Sequence, residues 1–215
     1  MRTIVVANPK GGSGKTTLAT HIAGWLAGKR QAVAIADFDP QQSAVEWLAR
    51  RPSLFPPISR WDPQAPKGTP ERSPAWLVVD TPAGVQVDAL REVLKRADVM
   101  IVPVSPSAYD MTASQRFLAA LGEYKAVKQG SLPLGLVAMR VDSRTHSAGE
   151  LDDFLRGTDI PVIGHLRDAQ VYVHCARDGS SVFDLPRSRA AHDWDQWRPL
   201  TRWISRQTVG SRQAA

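Results

Sequence analysis

The run Lys10-Gly11-Gly12-Ser13-Gly14-Lys15-Thr16-Thr17 constrains this chain more than any other segment. It follows the apolar stretch Thr3 to Ala7 and precedes a stretch of helical periodicity. A strand that ends in a glycine-rich turn at a helix start is the context a phosphate-binding loop requires. Gly11, Gly12 and Gly14 let the backbone curl so that successive N–H groups point inward at a polyphosphate, and the helix adds its positive end. Lys15 supplies a point charge for the β- and γ-phosphates. Thr16 places a hydroxyl where Mg²⁺ would sit between them. A glycine turn that binds nothing would leave the Gly-Gly-x-Gly run and its lysine without a structural reason.

Short runs buried on both faces of a sheet are expected at Thr3 to Ala7, Ala32 to Ala36, Trp76 to Val79, Val99 to Val104, Leu134 to Met139 and Ile160 to Ile163. Helical patterns fall at Thr16 to Gly28, Val87 to Arg96 and Ala113 to Lys128. Strand, helix and strand repeated in this way predict an α/β fold, a single domain over 1–215 with a mostly parallel sheet and helices on both faces. Ligands of such sheets sit at the carboxyl ends of the strands. The stretch 52–75 breaks the rhythm, with seven of the chain's 16 prolines in it. It reads as a surface connection within the domain, and Ile58 to Trp61 as a short edge strand.

Composition narrows the classes. At 215 residues and 43% hydrophobic, the chain can bury a core without staples. Its one cysteine, Cys175, excludes an internal disulfide and a four-thiolate metal site within one chain, and fits a reducing cytoplasm. The apolar runs fall short of the 18 or so residues a membrane span needs. The N-terminal run stops at Asn8-Pro9-Lys10, too soon for a signal peptide.

Carboxylates follow two of the strands. In Asp37-Phe38-Asp39-Pro40-Gln41 alternate residues point the same way, so Asp37 and Asp39 can both face a metal and an attacking water; the same residues also suit an Asp-Pro turn that caps a helix over 41–50. In Leu77-Val78-Val79-Asp80-Thr81-Pro82 an apolar strand ends in Asp80, which has the look of a Walker B segment holding Mg²⁺ through a water.

With a second lysine, Lys10, ahead of Gly11, the loop resembles the deviant Walker A loop of the ParA/MinD family of ATPases, a SIMIBI-type branch of the P-loop NTPases. Val102-Pro103-Val104-Ser105-Pro106-Ser107, Tyr109-Asp110, Gln170-Val171-Tyr172-Val173 and Asp178 to Phe183 extend the likeness, to the small ParF-like partition proteins. The resemblance implies ATP and Mg²⁺ as ligands, Lys10 to Thr17 as the phosphate loop, and Lys15 acting in cis with Lys10 acting across an ATP-sandwich homodimer. It also implies Thr16, Asp37 and Asp80 on the metal side and Asp39 positioning the hydrolytic water. Family members hold adenine just after the sixth strand, where Arg140 falls, and in the loop after the seventh; a surface salt bridge is the other reading of Arg140. His21 stands where related helices commonly carry asparagine, and reads as a buried, hydrogen-bonded histidine.

By the same resemblance the protein is a slow ATPase switch that a ParB-like or other cargo adaptor stimulates, cytoplasmic and nucleoid-associated through nonspecific double-stranded DNA. Its cargo is a plasmid, a chromosome or a protein body such as the carboxysome. Those small relatives lack an N-terminal helix-turn-helix, and here a strand begins at residue 2, so direct operator reading is not expected. The nitrogenase iron-protein branch would need two cluster cysteines, and the tyrosine-kinase branch a tyrosine-rich tail; neither is present.

Residues 186–215 carry six arginines against two aspartates, +4 of the chain's net +6. Arg198, Arg202 and Arg206 recur every four residues as one cationic stripe, which with Arg187 and Arg189 suits DNA phosphates. Trp197, Leu200, Trp203 and Ile204 give the same segment an apolar packing face. A MinD-like amphipathic membrane helix is the rival, weakened by Pro199 and by the polar end, with 208–215 expected to fray.

Overall fold

A computed structural model describes residues 1–62 and 74–210. Seven strands form one all-parallel sheet in the order β3-β2-β4-β1-β5-β6-β7. They are β1 (Arg2–Val6), β2 (Val33–Asp37), β3 (Ser59–Arg60), β4 (Trp76–Asp80), β5 (Val99–Val104), β6 (Leu134–Val141) and β7 (Val162–Arg167). The helices are α1 (Lys15–Gly28), α2 (Ser43–Arg50), α3 (Arg91–Leu94), α4 (Ala108–Gly122), α5 (Lys125–Lys128), α6 (His146–Arg156), α7 (Gln170–Asp178) and α8 (Arg187–Gly210).

The period of two along each strand divides the core. Ile4, Val6, Ile35, Val78 and Ile101 face one side, under α1, α2, α7 and α8. Val5, Ala34, Ala36, Val79, Met100 and Val102 face the other, under α3, α4 and α6. Both faces are covered, which is why the strands read as unbroken apolar runs. β1 lies between β4 and β5, so the chain leaves it toward one edge of the sheet and later crosses to the other. The crevice at the carboxyl end of β1 is therefore the topological switch point, and the phosphate loop occupies it.

Several boundaries differ from expectation. The last strand starts at Val162 because Pro161 has no N–H to give; its carbonyl instead accepts from Leu136 N–H at 2.9 Å. The helix expected over 87–96 is a 3₁₀ turn, Val87–Leu90, followed by the single turn α3. The one expected over 113–128 begins five residues earlier and is interrupted before α5 at Tyr124, whose backbone is extended. The edge strand predicted at 58–61 forms as β3, paired with β2. Of the proline-rich connection, Pro63, Pro66 and Pro70 lie outside the described residues; of the tail expected to fray over 208–215, residues 208–210 instead form the end of α8, and the remainder lies outside the described residues. Among the described residues no helix is long and apolar enough to cross a membrane.

Candidate functional site: a phosphate loop facing strand-end carboxylates

The loop between β1 and α1 is held from below and from both sides. Asn8 is fully buried; its amide donates to the Pro103 carbonyl at 2.7 Å and to Ser114 Oγ at 2.8 Å, and its Oδ1 accepts from Lys10 N–H at 2.8 Å. The start of the loop is thereby fastened to β5 and α4. On the other side the Pro9 carbonyl accepts from Gly84 N–H at 2.6 Å. Ser13 Oγ closes the turn by donating to the Lys10 carbonyl at 3.0 Å.

Gly12 and Gly14 have φ of +77° and +94°, values that a side chain resists. A Cβ at Gly14 would come within 2.6 Å of Met139 Cε, so glycine there meets both a backbone and a packing demand. Gly14 caps α1 without a side-chain bond. The first N–H groups of that helix are left for an anion.

Lys15 is buried, which holds its ammonium below the ordinary lysine range against the pull of Asp80 and Asp39. Its Nζ donates to the Lys10 carbonyl at 3.0 Å. Thr16 Oγ1 donates to Asp80 Oδ2 at 2.7 Å, while the buried Oδ1 of Asp80 has no partner among the described residues. Burial pushes the Asp80 carboxyl up to about 7, opposed by the Thr16 hydrogen bond and reinforced by the Asp37 charge. A buried carboxylate with an orphan oxygen beside a threonine hydroxyl is a donor set in need of a hard cation, so the residues fit Mg²⁺.

Asp37 and Asp80 are register partners at the ends of adjacent strands. Both oxygens of Asp37 already accept backbone N–H groups, Oδ1 from Asp39 at 3.0 Å and Oδ2 from Ala44 at 2.8 Å and Val45 at 3.2 Å. It caps α2, the alternative the Asp-Pro sequence also offered. Asp39 spans the mouth of the site, with Oδ1 accepting from Gln41 N–H at 2.9 Å and Oδ2 from Ala83 N–H at 3.2 Å.

A cleft of about 490 Å³ gathers Gly11, Gly12, Gly14, Lys15, Thr16, Thr17, Asp39 and Arg140. Arg140 reaches it because the strand bulges there: its φ is +53°, and the β6–β7 register slips between Ala138 and Val141. Arg140 also lines an adjoining cavity of about 340 Å³, whose wall includes Thr17, Asp168 and Tyr172. Lys10 turns away from the cleft, toward Asp110 on α4. Arg187, Arg189, Arg198, Arg202 and Arg206 do not line it; all five are exposed on α8, where Arg198 pairs with Asp195 and Arg187 stacks over Trp194.

His21 is buried as expected. Its Nδ1 lies 2.9 Å from the Thr17 carbonyl, and its ring stacks on Trp197 at 5.3 Å. Sequence reasoning did not find the Asn8–Ser114 anchor or the Lys10–Asp110 pair, since each joins residues about a hundred positions apart.

A parallel sheet with a glycine-rich loop at its switch point, a lysine inside that loop and a hydroxyl–carboxylate pair below it define a P-loop nucleotide-binding protein. Residues 4–182 match the family described as the CobQ/CobB/MinD/ParA nucleotide binding domain. Similar curated proteins include the maintenance of carboxysome distribution protein A of Gloeobacter kilaueensis, 33% identical over 95% of this chain and 94% of that one. Its namesake from Halothiobacillus neapolitanus is 28% identical over 89% and 91%. Among solved structures, a Borrelia burgdorferi plasmid partition protein bound to AMPPNP superposes with a TM-score of 0.69 at 17% identity, covering 94% of this chain and 98% of that one. The Cyanothece McdA–ATP complex gives 0.67 at 16%, covering 94% and 96%. The chain belongs to the ParA/MinD family of P-loop NTPases.

Proposed function

We propose that this protein is an ATP-dependent, dimerising ParA-type ATPase that positions an intracellular cargo. The observation that carries the reading is the single cleft in which the phosphate loop faces Asp39, with Thr16 hydrogen-bonded to Asp80 beneath it. In this reading Lys10 to Thr17 wrap the ATP phosphates and Lys15 leaves the Lys10 carbonyl to meet them. Thr16 and Asp80 hold Mg²⁺, which when bound supplies positive charge to the phosphates. Asp37 contributes its charge from the neighbouring strand end, its Oδ1 being engaged by Asp39 N–H and its Oδ2 by the first turn of α2. Asp39, at the mouth of the cleft, positions the attacking water. Arg140 faces the base or sugar from its bulge. Lys10 serves the nucleotide of a second subunit.

The carboxysome-distribution proteins among its relatives favour a protein body as cargo, with plasmid or chromosome partition the other member of the same class. An adaptor protein stimulates hydrolysis, and the exposed arginines of α8 bind nonspecific nucleoid DNA in the ATP state. A MinD-like membrane role is the alternative, and the cleft is common to both. The test is binding to nonspecific duplex DNA with ADP and with ATP at several salt concentrations, using wild type and Asp39→Ala. Binding that needs ATP, weakens with salt and persists in Asp39→Ala, which should bind ATP without turning it over, supports the reading. ATP-dependent dimers that ignore DNA and bind anionic liposomes would transfer it to the membrane branch.

A further inference from the structure

We infer that Gln42 is a positioning residue for Asp39: turned under its own loop by a left-handed backbone, its side-chain amide ties the carbonyls of Asp37 and Asp39 together and keeps the Asp39 carboxylate at the mouth of the cleft. The inference rests on the water-positioning role of Asp39 given above. Among the described residues, Arg30, Gln42 and Arg140 have left-handed backbone without being glycine. Arg30 follows α1, where helices commonly end in that way. Arg140 sits on the bulge that brings it to the cleft. Gln42, at φ +53°, ends no helix and lies in no bulge. A β-carbon resists that conformation, so the loop must hold it there, and such strain persists only where the surroundings fix it.

The hydrogen bonds that Gln42 donates lead back to the two aspartates. Asp39-Pro40-Gln41-Gln42 is a turn closed by Gln42 N–H on the Asp39 carbonyl at 2.9 Å, with proline at its second position. The side chain then returns across the turn. Its Nε2 donates to the Asp37 carbonyl at 3.2 Å and to the Asp39 carbonyl at 3.3 Å, while Oε1 accepts from Arg60 Nη2 on β3 at 3.3 Å. Gln42 stands at the cap position of α2 yet gives that helix no side-chain bond, a task that falls to Asp37 Oδ2. Its amide is spent on the loop instead.

The amide works from behind. Asp39, Pro40, Gln41 and Ser43 line the cleft and Gln42 does not, so its bonds are out of the path of a nucleotide. Phe38 N–H donates to the Asp80 carbonyl at 3.0 Å where β2 leaves β4, and beyond that point Gln42 braces the loop from within. A carboxylate that orients water must keep its direction, and small misplacements of such a group cost turnover before they cost binding. Gln42 therefore bears on turnover through Asp39, without touching the nucleotide.

Steady-state ATP hydrolysis with Mg²⁺, read as kcat and KM, and AMPPNP affinity by calorimetry test this. Gln42→Gly takes up the left-handed backbone freely, so it removes the amide without straining the turn. Gln42→Glu keeps the length and removes the donors. Both should lower kcat about three- to tenfold, while KM and AMPPNP affinity stay within about twofold of wild type. Should the glutamate variant fold poorly, the glycine variant makes the same test. A further readout is coupling: on the residual turnover of Asp39→Ala, adding Gln42→Gly should change kcat by less than about twofold, because the group it acts through is gone. A folded Gln42→Gly with wild-type kcat overturns the proposal. So does an undiminished loss in the Asp39→Ala background, or a fall in kcat matched by an equal fall in AMPPNP affinity, either of which makes Gln42 a general support of the loop. Failure of the underlying reading is visible separately. If Asp39→Ala hydrolyses ATP as fast as wild type, the role of Asp39 falls, and that of Gln42 with it.

Discussion

At Gly14 one missing methyl group serves both the fold and the site. Its φ of +94° is strained for any other residue, and a Cβ would press on Met139. Because the methionine end is flexible, the backbone sets the cost. Gly14→Ala should lose about 1–2 kcal/mol in denaturant titration, together with nucleotide affinity, because the loop N–H groups no longer converge. Gly149→Ala, in open space on α6, should match or exceed wild-type stability. Asp80 makes the opposite trade. Its buried, half-partnered charge is a liability to the nucleotide-free fold, so Asp80→Asn should raise the melting temperature of the free protein, by about 1 kcal/mol of stability, and abolish the further rise that ATP with Mg²⁺ gives wild type. The loop glycines, Lys15, Thr16 and Asp80 are legible in sequence because their chemistry is local: a strand, a turn and a helix start suffice to place them. Asn8 is legible only as a stiff approach to the loop, since Ser114, which holds it, sits on α4. The Asp37 carboxylate shows where local reading stops. Asp-x-Asp-Pro admits both a metal-side role and a helix cap, and the position of the α2 N–H groups makes Oδ2 a cap while Oδ1 turns back to Asp39 N–H.

Among the elements, α8 joins a cationic face to a deeply packed one. It carries Trp197, Leu200 and Ile204, all fully buried, against β7 and α1, and turns Arg198, Arg202 and Arg206 outward. Ala190, at φ −133°, breaks it into a short entry turn and a longer body, so Arg187 and Arg189 stand apart from the stripe. Arg198 is spent partly on Asp195, at 2.7 Å, leaving Arg202 and Arg206 as the free cations of the stripe among the described residues. If α8 is the DNA surface, Arg202→Glu with Arg206→Glu should lower DNA affinity uniformly across sequences and flatten the plot of log affinity against log salt by about two, while ATP-dependent dimerisation is unchanged. A sedimentation assay beside the DNA titration separates the two effects. The stripe is legible because helical periodicity places residues four apart on one face. The elements that sequence misplaced failed for equally local reasons. The apolar run places the start of β7 two residues early because Ile160 and Pro161 continue it although proline cannot pair, and the α4–α5 break at Tyr124 leaves no mark in the apolar spacing of that segment.

Across the whole molecule, α1 is the spine that joins nucleotide to core. Its first turn lines the cleft, and its middle is sealed under α7 and α8 by His21, stacked on Trp197 and tilted against Tyr172 at 5.4 Å. Burial holds the His21 imidazole down to about 4, although the Thr17 carbonyl and the charges of Asp184 and Asp193 favour the cation. Those two carboxylates are already matched, to Arg51 and Arg167, and Nε2 has no partner among the described residues, so the ring is kept neutral inside the fold. The unfolded chain protonates the same ring near pH 6.5. Below that pH the unfolded state gains a proton that the folded state refuses until about 4, and stability falls through the whole interval. The loss at pH 5 should be about 2 kcal/mol relative to pH 7.5, approaching about 3 kcal/mol near pH 4. Urea titrations at those pH values check it, with His21→Asn as the comparison. The asparagine does not titrate, so its stability should change with pH by about that much less than wild type over the same range. Parallel curves for the two proteins would mean that another group, and not the histidine under α8, governs the acid limit of the fold.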